Sequence, residues 1–339
     1  MKYLLFIFML LPFLSFAQNN PTKPQINRIV IFGDSISDTG ELSAKTKRII
    51  PSQQNYWQGR FSNGFNWSDF LALSYNTTSA DNDFMINESI GGATAHKYAD
   101  PRQILKGIFR IGDFIKKIET ITVSSLSAEV TNFEKTKKFT PNDLVVVWMG
   151  ANDILWVAEK YVKAEDKAAE NAAKAVNDSI QHFRLKGVKN IVVIGLPDIG
   201  STPRFLNEPE IRNIKSVQTS DYNDRLKKMV NDFKNDNLNI HFVDMNKYFN
   251  DYIKGRSNEF GFTNVTDRTF TGGVVDPTPE AFKEPLKMSI YNDDNDERIF
   301  WDDVHPATRT HAIIAGVLKK EVLDPNFNVR SVQTNCRYV

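Results

Sequence analysis

Three side chains from opposite ends of this 339-residue chain have the types needed for a nucleophilic relay. Ser35 stands in Ile-Phe-Gly-Asp-Ser (31–35), on a tight turn after an apolar run, while Asp302 and His305 stand in Trp-Asp-Asp-Val-His (301–305). A serine hydroxyl is a weak nucleophile until a neighbouring base takes its proton, and a histidine base needs a carboxylate to fix its tautomer. Asp302 can turn back on His305 through a single bend, accept the Nδ1–H and stabilise the imidazolium formed during attack. Asp303 competes for that role, but the spacing favours Asp302. Each motif also has a plainer explanation: Asp34 or Ser35 can cap a helix, and the acidic pair can offset the positive end of the helix that follows. Of the five histidines, only His305 lies in a loop between an acidic pair and a proline. His182, His241 and His311 read as surface or packed residues.

An acyl-transfer intermediate also needs donors aimed at its oxyanion. Asn-Glu-Ser-Ile-Gly-Gly-Ala (87–93) and Gly-Ala-Asn-Asp (150–153) supply candidates. Gly92 can present a backbone N–H with no side chain in the way, Asn152 a carboxamide, and Ser35 its own N–H. Either segment alone is ordinary turn punctuation. Tyr56, Trp57, Phe61, Phe65 and Trp67 follow the nucleophile closely. All five could line an apolar groove for an acyl chain, with Trp57, Phe61 and Phe65 the candidates for substrate contact; the alternative is that these aromatics anchor the first helix in the core.

Strand-like runs at Arg28–Phe32, Asp83–Asn87, Leu144–Trp148, Asn190–Ile194 and Asn239–Val243 must position these groups. Their two-sided hydrophobicity suits a parallel sheet covered on both faces. Helical patterns lie around Asn66–Leu73, Ile104–Ile118, Lys163–Lys186 and Ser220–Lys234, and a last helix is expected to begin at Pro306. Alternation of strand and helix predicts a doubly wound α/β sandwich whose ligands sit beyond the carboxyl ends of its strands. Ser35, Gly92 and Asn152 each follow a strand, so all three should converge there. Residues 255–298, rich in Gly, Pro, Asn, Asp and Thr, read as an irregular insertion, either a cover over the site or a surface excursion.

The first 17 residues, MKYLLFIFMLLPFLSFA, have the layout of a cleaved export signal and are short for a spanning helix of roughly 20 residues. Export to the periplasm or the exterior is expected. Basic and acidic side chains number 42 and 41, which gives no reason to expect a nucleic-acid partner. Cys336 is the only cysteine, so no internal disulfide can form. The acidic run 292–297 lacks the ordered spacing and central glycine of a calcium loop, and no metal or cofactor is expected.

Taken together, GDS, NESIGG, GAND and DxxH in this order closely resemble the GDSL, or SGNH, hydrolase family. The resemblance spans nearly the whole of residues 18–339 and implies one SGNH hydrolase domain with a flavodoxin-like three-layer α/β/α sandwich and a central parallel sheet. It implies Ser35 as nucleophile, His305 as base, Asp302 as its orienting acid, and Ser35, Gly92 and Asn152 as the oxyanion hole. FGDSISDTG (32–40), GRFSNGFNWSDFLA (59–72) and FWDDVHPATRTHAIIA (300–315) look like the secreted bacterial branch of lysophospholipases A, phospholipases A, thermolabile haemolysin-like lipases and glycerophospholipid–cholesterol acyltransferases. That likeness implies a lipid or lysophospholipid substrate, an alcohol or sterol as a second acyl acceptor, and transient contact with a membrane surface. The chain departs from the acyltransferases in having no cysteine before the Asp-His block to tether a loop, and from many relatives in carrying Glu88 and Ser89 beside the donor glycines. A carbohydrate or short-chain acetyl esterase, and a secreted binding protein on the same scaffold, are the alternative readings.

Overall fold

In a computed structural model of the chain, the residues described are 26–75, 83–98, 124–157, 167–234, 238–274 and 297–329. The expected export signal, the helix expected over Ile104–Ile118, Cys336 and nearly all of the acidic run lie outside them. Five strands form one sheet: β1 (Arg28–Gly33), β2 (Met85–Asn87), β3 (Asp143–Trp148), β4 (Asn190–Ile194) and β5 (Asn239–Val243). They pair in the order β2-β1-β3-β4-β5, every pair parallel. The register sets Arg28 opposite Asp143 and Gly33 opposite Trp148. A bidentate bond from the Arg28 guanidinium to the Asp143 carboxylate (2.5 and 3.1 Å) pins the start of that pairing.

The central strands are buried on both faces. Ile29, Val30, Ile31 and Phe32 of β1 are fully buried, as is nearly all of β3 and β4. β-Branched side chains pack well on such a pleated surface and find cover from helices on either side. The helices are α1 (Glu41–Lys45), α2 (Trp67–Leu73), α3 (Leu126–Thr136), α4 (Ala151–Val157), α5 (Ala168–Leu185), α6 (Pro209–Phe233) and α7 (Thr308–Leu318). Helix α2 packs on α7, while α3, α5 and α6 form a contiguous row. Phe32 joins β1 to that row, stacking on Phe183 of α5 at 5.5 Å and meeting Phe133 of α3 edge-on at 6.1 Å. The result is the expected flavodoxin-like α/β/α sandwich. No described helix is long and apolar enough to cross a membrane.

Several boundaries differ from expectation. The last helix starts at Thr308, not Pro306: the Ala307 N–H donates to Ile299 O (2.9 Å) and Pro306 bridges to Phe300, which keeps the chain extended for two more residues. Helix α6 starts at Pro209, where proline suits a first turn, well before Ser220. Helix α3 was not foreseen. The irregular segment from 255 contains a strand, β6 (Asn264–Arg268), paired in parallel with β7 (Arg298–Phe300).

Candidate active site

The sheet order makes β1 and β3 neighbours, with β2 on the far side of β1, so the chain reverses direction across the sheet between them. A crevice opens at such a switch point, beyond the carboxyl ends of the strands. Strand β1 ends at Gly33, where a Cβ would meet Ser37 Oγ at 2.8 Å and Ser89 Oγ at 2.9 Å, so only glycine fits. The Asp34 carbonyl then accepts from the N–H groups of Ser37 (3.0 Å) and Asp38 (2.9 Å), closing a single turn with Ser35 at its tip. Asp34 is itself buried, and burial pushes its carboxyl up to about 6.

Asp38 holds this turn to its neighbours. Its Oδ1 accepts from the N–H of Gly40 (2.7 Å) and Glu41 (2.6 Å), and its Oδ2 from Leu42 (3.1 Å) and Gly91 (2.7 Å). One buried carboxylate therefore ties the Ser35 turn to the Gly91-Gly92 loop, a role that the sequence reading missed. The only available signal was an Asp placed two residues before a glycine, a common local-turn pattern. Asn87 adds a second tie, its carboxamide donating to Ser37 O (2.8 Å).

The structure brings Ser35, Asp302 and His305 together across 270 residues of chain. His305 Nε2 lies 2.8 Å from Ser35 Oγ, and His305 Nδ1 lies 2.7 Å from Asp302 Oδ2. Asp302 Oδ1 accepts from the backbone N–H of Val304 (2.9 Å) and His305 (2.7 Å), which forms the bend expected from the spacing. Its Oδ2 also accepts from the Tyr56 hydroxyl (2.6 Å). Burial by itself would raise the Asp302 carboxyl, but His305 and these donors outweigh it and hold it at about 2. Asp303 is engaged elsewhere: Arg204 binds it through Nε (2.8 Å) and Nη2 (3.2 Å), and the Arg204 N–H donates to its carbonyl. The competition between the two acids is thus decided by an arginine about a hundred residues away, which no local spacing could reveal.

Gly92 adopts φ 79°, a left-handed conformation that favours glycine. Among the described residues, the N–H groups of Ser35 and Gly92 donate to no protein acceptor. The Asn152 carboxamide, buried at the start of α4, gives one N–H to Ala93 O (2.7 Å), which orients the group; its second N–H has no protein acceptor among the described residues. Gly150, at φ 109°, lets the chain turn there; a Cβ would strike the Tyr222 ring at 2.5 Å. Asp153 accepts from the N–H of Ala95 (2.7 Å) and His96 (3.0 Å), fastening the third loop to the second. Burial raises its carboxyl to about 7.

The aromatic candidates have separate fates. Phe61 is buried with its ring 5.0 Å from that of His305, forming a wall for the imidazole. Trp57 is buried and meets the half-buried Phe65 edge-on at 4.8 Å. Trp67 belongs to the core, its Nε1–H donating to Ser37 Oγ (3.0 Å). His182 lies at the surface beside Glu134, and His311 is buried in α7.

A hydroxyl bonded to an imidazole that is itself bonded to a carboxylate, beside uncommitted N–H donors, can carry out acyl transfer. The sequence profile of the GDSL-like lipase/acylhydrolase family matches residues 29–318. A phosphatidylcholine-sterol acyltransferase from Aeromonas hydrophila is 26% identical over 88% of this chain and 91% of its own length. A thermolabile hemolysin from Vibrio parahaemolyticus is 25% identical over 86% of this chain. The secreted effector protein SseJ from Salmonella typhimurium is 28% identical over 88%. This chain spans 62% and 64% of those last two proteins. Fold, crevice and family profile agree: the chain belongs to the GDSL-like lipase/acylhydrolase family and is an ester hydrolase.

Proposed function

We propose that this protein cleaves acyl esters of lipids, lysophospholipids and phospholipids foremost, with Ser35, His305 and Asp302 as its triad. The observation that carries this reading is the continuous hydrogen-bonded chain Ser35 Oγ–His305 Nε2, His305 Nδ1–Asp302 in the same crevice as the Ser35 and Gly92 N–H groups. In the first step His305 takes the Ser35 proton as Oγ adds to the ester carbonyl. The oxyanion is held by the N–H groups of Ser35 and Gly92 and by the Asn152 carboxamide. His305 then returns the proton to the leaving alcohol, which departs and leaves an acyl-Ser35 ester. Water, or a second alcohol such as a sterol, repeats the sequence in reverse and releases the acid or a new ester.

The names of the relatives, an acyltransferase on phosphatidylcholine and sterol and a hemolysin, support a lipid acyl donor met at a membrane surface. Phe61, whose ring lies 5.0 Å from that of His305, and the Trp57–Phe65 pair are the candidates to guide an acyl chain. Residues 1–17 act as the export signal, and residues 18–339 work as one hydrolase domain. The test is fatty-acid release from lysophosphatidylcholine, diacyl phosphatidylcholine and p-nitrophenyl acetate by the parent and by Ser35→Ala. Release from the lysolipid that vanishes in the variant is expected. Turnover of the acetate alone would replace the lipid reading by a short-chain esterase, and activity that survives Ser35→Ala would remove the triad.

A further inference from the structure

The Asp302 carboxylate receives four donors where an orienting acid needs fewer. Two are the backbone N–H groups of its own bend and one is His305 Nδ1. The fourth, the Tyr56 hydroxyl at 2.6 Å, comes from 246 residues away and falls on Oδ2, the oxygen that also faces the imidazole. Tyr56 is fully buried, and its N–H donates to Ser52 O (2.9 Å). Its ring meets Phe270 edge-on at 5.8 Å. Phe270, from the segment after β6, stacks on Trp301 at 5.7 Å, and its N–H donates to the Trp301 carbonyl. Trp301 Nε1 in turn donates to Asn55 O (3.0 Å). The phenol is therefore clamped between the residue preceding it and the chain that enters the Asp-His bend.

We propose that Tyr56 is a positioning residue that restrains the basicity of Asp302 and so sets the acid limb of the pH–rate profile, with Phe270 holding it in place. The inference rests on the triad reading above. A second donor on Oδ2 draws electron density from the oxygen that faces Nδ1, so the carboxylate stabilises the imidazolium less. The other groups facing His305 act differently. Asp34, in the nucleophile turn, acts across the site by charge alone. Asp303 is neutralised by Arg204. His311 of α7 is pushed down to about 3 by burial and by the His305 charge, and so stays neutral. Phe61 covers a ring face without charge. Among the described residues, the Tyr56 hydroxyl is the one side-chain donor besides His305 that acts on the Asp302 oxygens.

The experiment compares kcat/KM against pH for the parent, Tyr56→Phe, Phe270→Leu and Ser35→Ala, on a soluble p-nitrophenyl ester. Tyr56→Phe keeps the ring and removes only the hydroxyl. Its acid limb should move up by roughly half a unit to one unit. Activity at pH 5.5 should then fall roughly three- to tenfold while the plateau near pH 8 holds within about twofold. Phe270→Leu should move the limb in the same direction by less. The downfield proton resonance of His305 Nδ1–H should shift further downfield in Tyr56→Phe, as the bond to Asp302 strengthens. A loss equal at every pH, with the limb and the resonance unmoved, would make Tyr56 a packing residue and overturn the inference. Activity remaining in Ser35→Ala would instead remove the triad, a separate failure read from a separate variant.

Discussion

Gly91→Ala tests how the Gly91-Gly92 loop is coupled to His305. An alanine Cβ there would stand 2.4 Å from Phe61 Cε2, 2.6 Å from Phe61 Cζ and 3.0 Å from Leu42 Cδ2. Carbon atoms settle near about 3.5–4.0 Å, so the Phe61 ring must retreat by roughly 1 Å. That ring is buried among Gly91, Leu42, Tyr56 and His305, with the imidazole centroid 5.0 Å away. Its retreat must therefore disturb the 2.8 Å bond from His305 to Ser35 or the Tyr56 bond to Asp302. Overpacking of this kind costs about 1–3 kcal/mol of stability, and a misplacement on the order of 1 Å can cost about a hundredfold in rate. We expect Gly91→Ala to lower kcat by roughly ten- to a hundredfold with a lowered melting temperature. Adding Phe61→Leu, which vacates the contested space, should recover part of both, making the pair strongly non-additive. Steady-state turnover of p-nitrophenyl butyrate and thermal unfolding of the four proteins measure the cycle. Parent-like kcat and stability in Gly91→Ala, or a double variant no better than Gly91→Ala, would refute the proposed transmission through Phe61.

Two further outcomes follow from the geometry. Asn152→Ala removes one of the three donors proposed for the oxyanion and should lower kcat by about 10²–10³-fold with little change in KM on the same ester; a change confined to KM would show that Asn152 binds the ground state only. Asp34→Asn should stabilise the protein at pH 8 and not at pH 4. Burial holds the folded carboxyl at about 6 against an ordinary 3.8, so the folded state binds the proton more tightly than the unfolded chain does. Stability from this group accordingly falls as pH rises through that window, and the ionised form at pH 8 is a cost of about 1–3 kcal/mol that a neutral amide avoids. Urea midpoints of parent and variant at the two pH values decide it, and an equal difference at both would contradict the assignment.

Much of the sheet was legible because each central strand is apolar on both faces. Asn190–Ile194 and Asn239–Val243 carry the same bounds in sequence and structure. Helix α3 was missed because Leu126, Val130 and Phe133 are spaced among Ser, Thr, Asn and Lys, giving a weak apolar stripe. Its Glu129 is fully buried, accepting the Gly33 N–H, which no periodicity of apolar residues would flag. The start of the last helix was misplaced because Pro306 favours a first helical turn locally, whereas a bridge to Phe300 keeps it extended. Tyr56 read as one of several aromatics that could line a groove; its hydroxyl contact with Asp302 depends on a fold that brings position 56 to position 302.

By itself the sequence determined the chemistry on offer: a serine after a strand, a histidine three residues from an acid, glycines and an asparagine after neighbouring strands, and a family resemblance that joins them. These are local signals, because turn residues, strand hydrophobicity and motif spacing act over a few residues. Only the tertiary structure decided which acid faces His305, through the distant Arg204 that engages Asp303. It also revealed that Asp38 binds two loops together and that the buried Tyr56 shares Asp302 with His305. Those choices depend on pairing and burial between residues far apart in the chain, where the energy of a contact exists only once the whole sheet has formed.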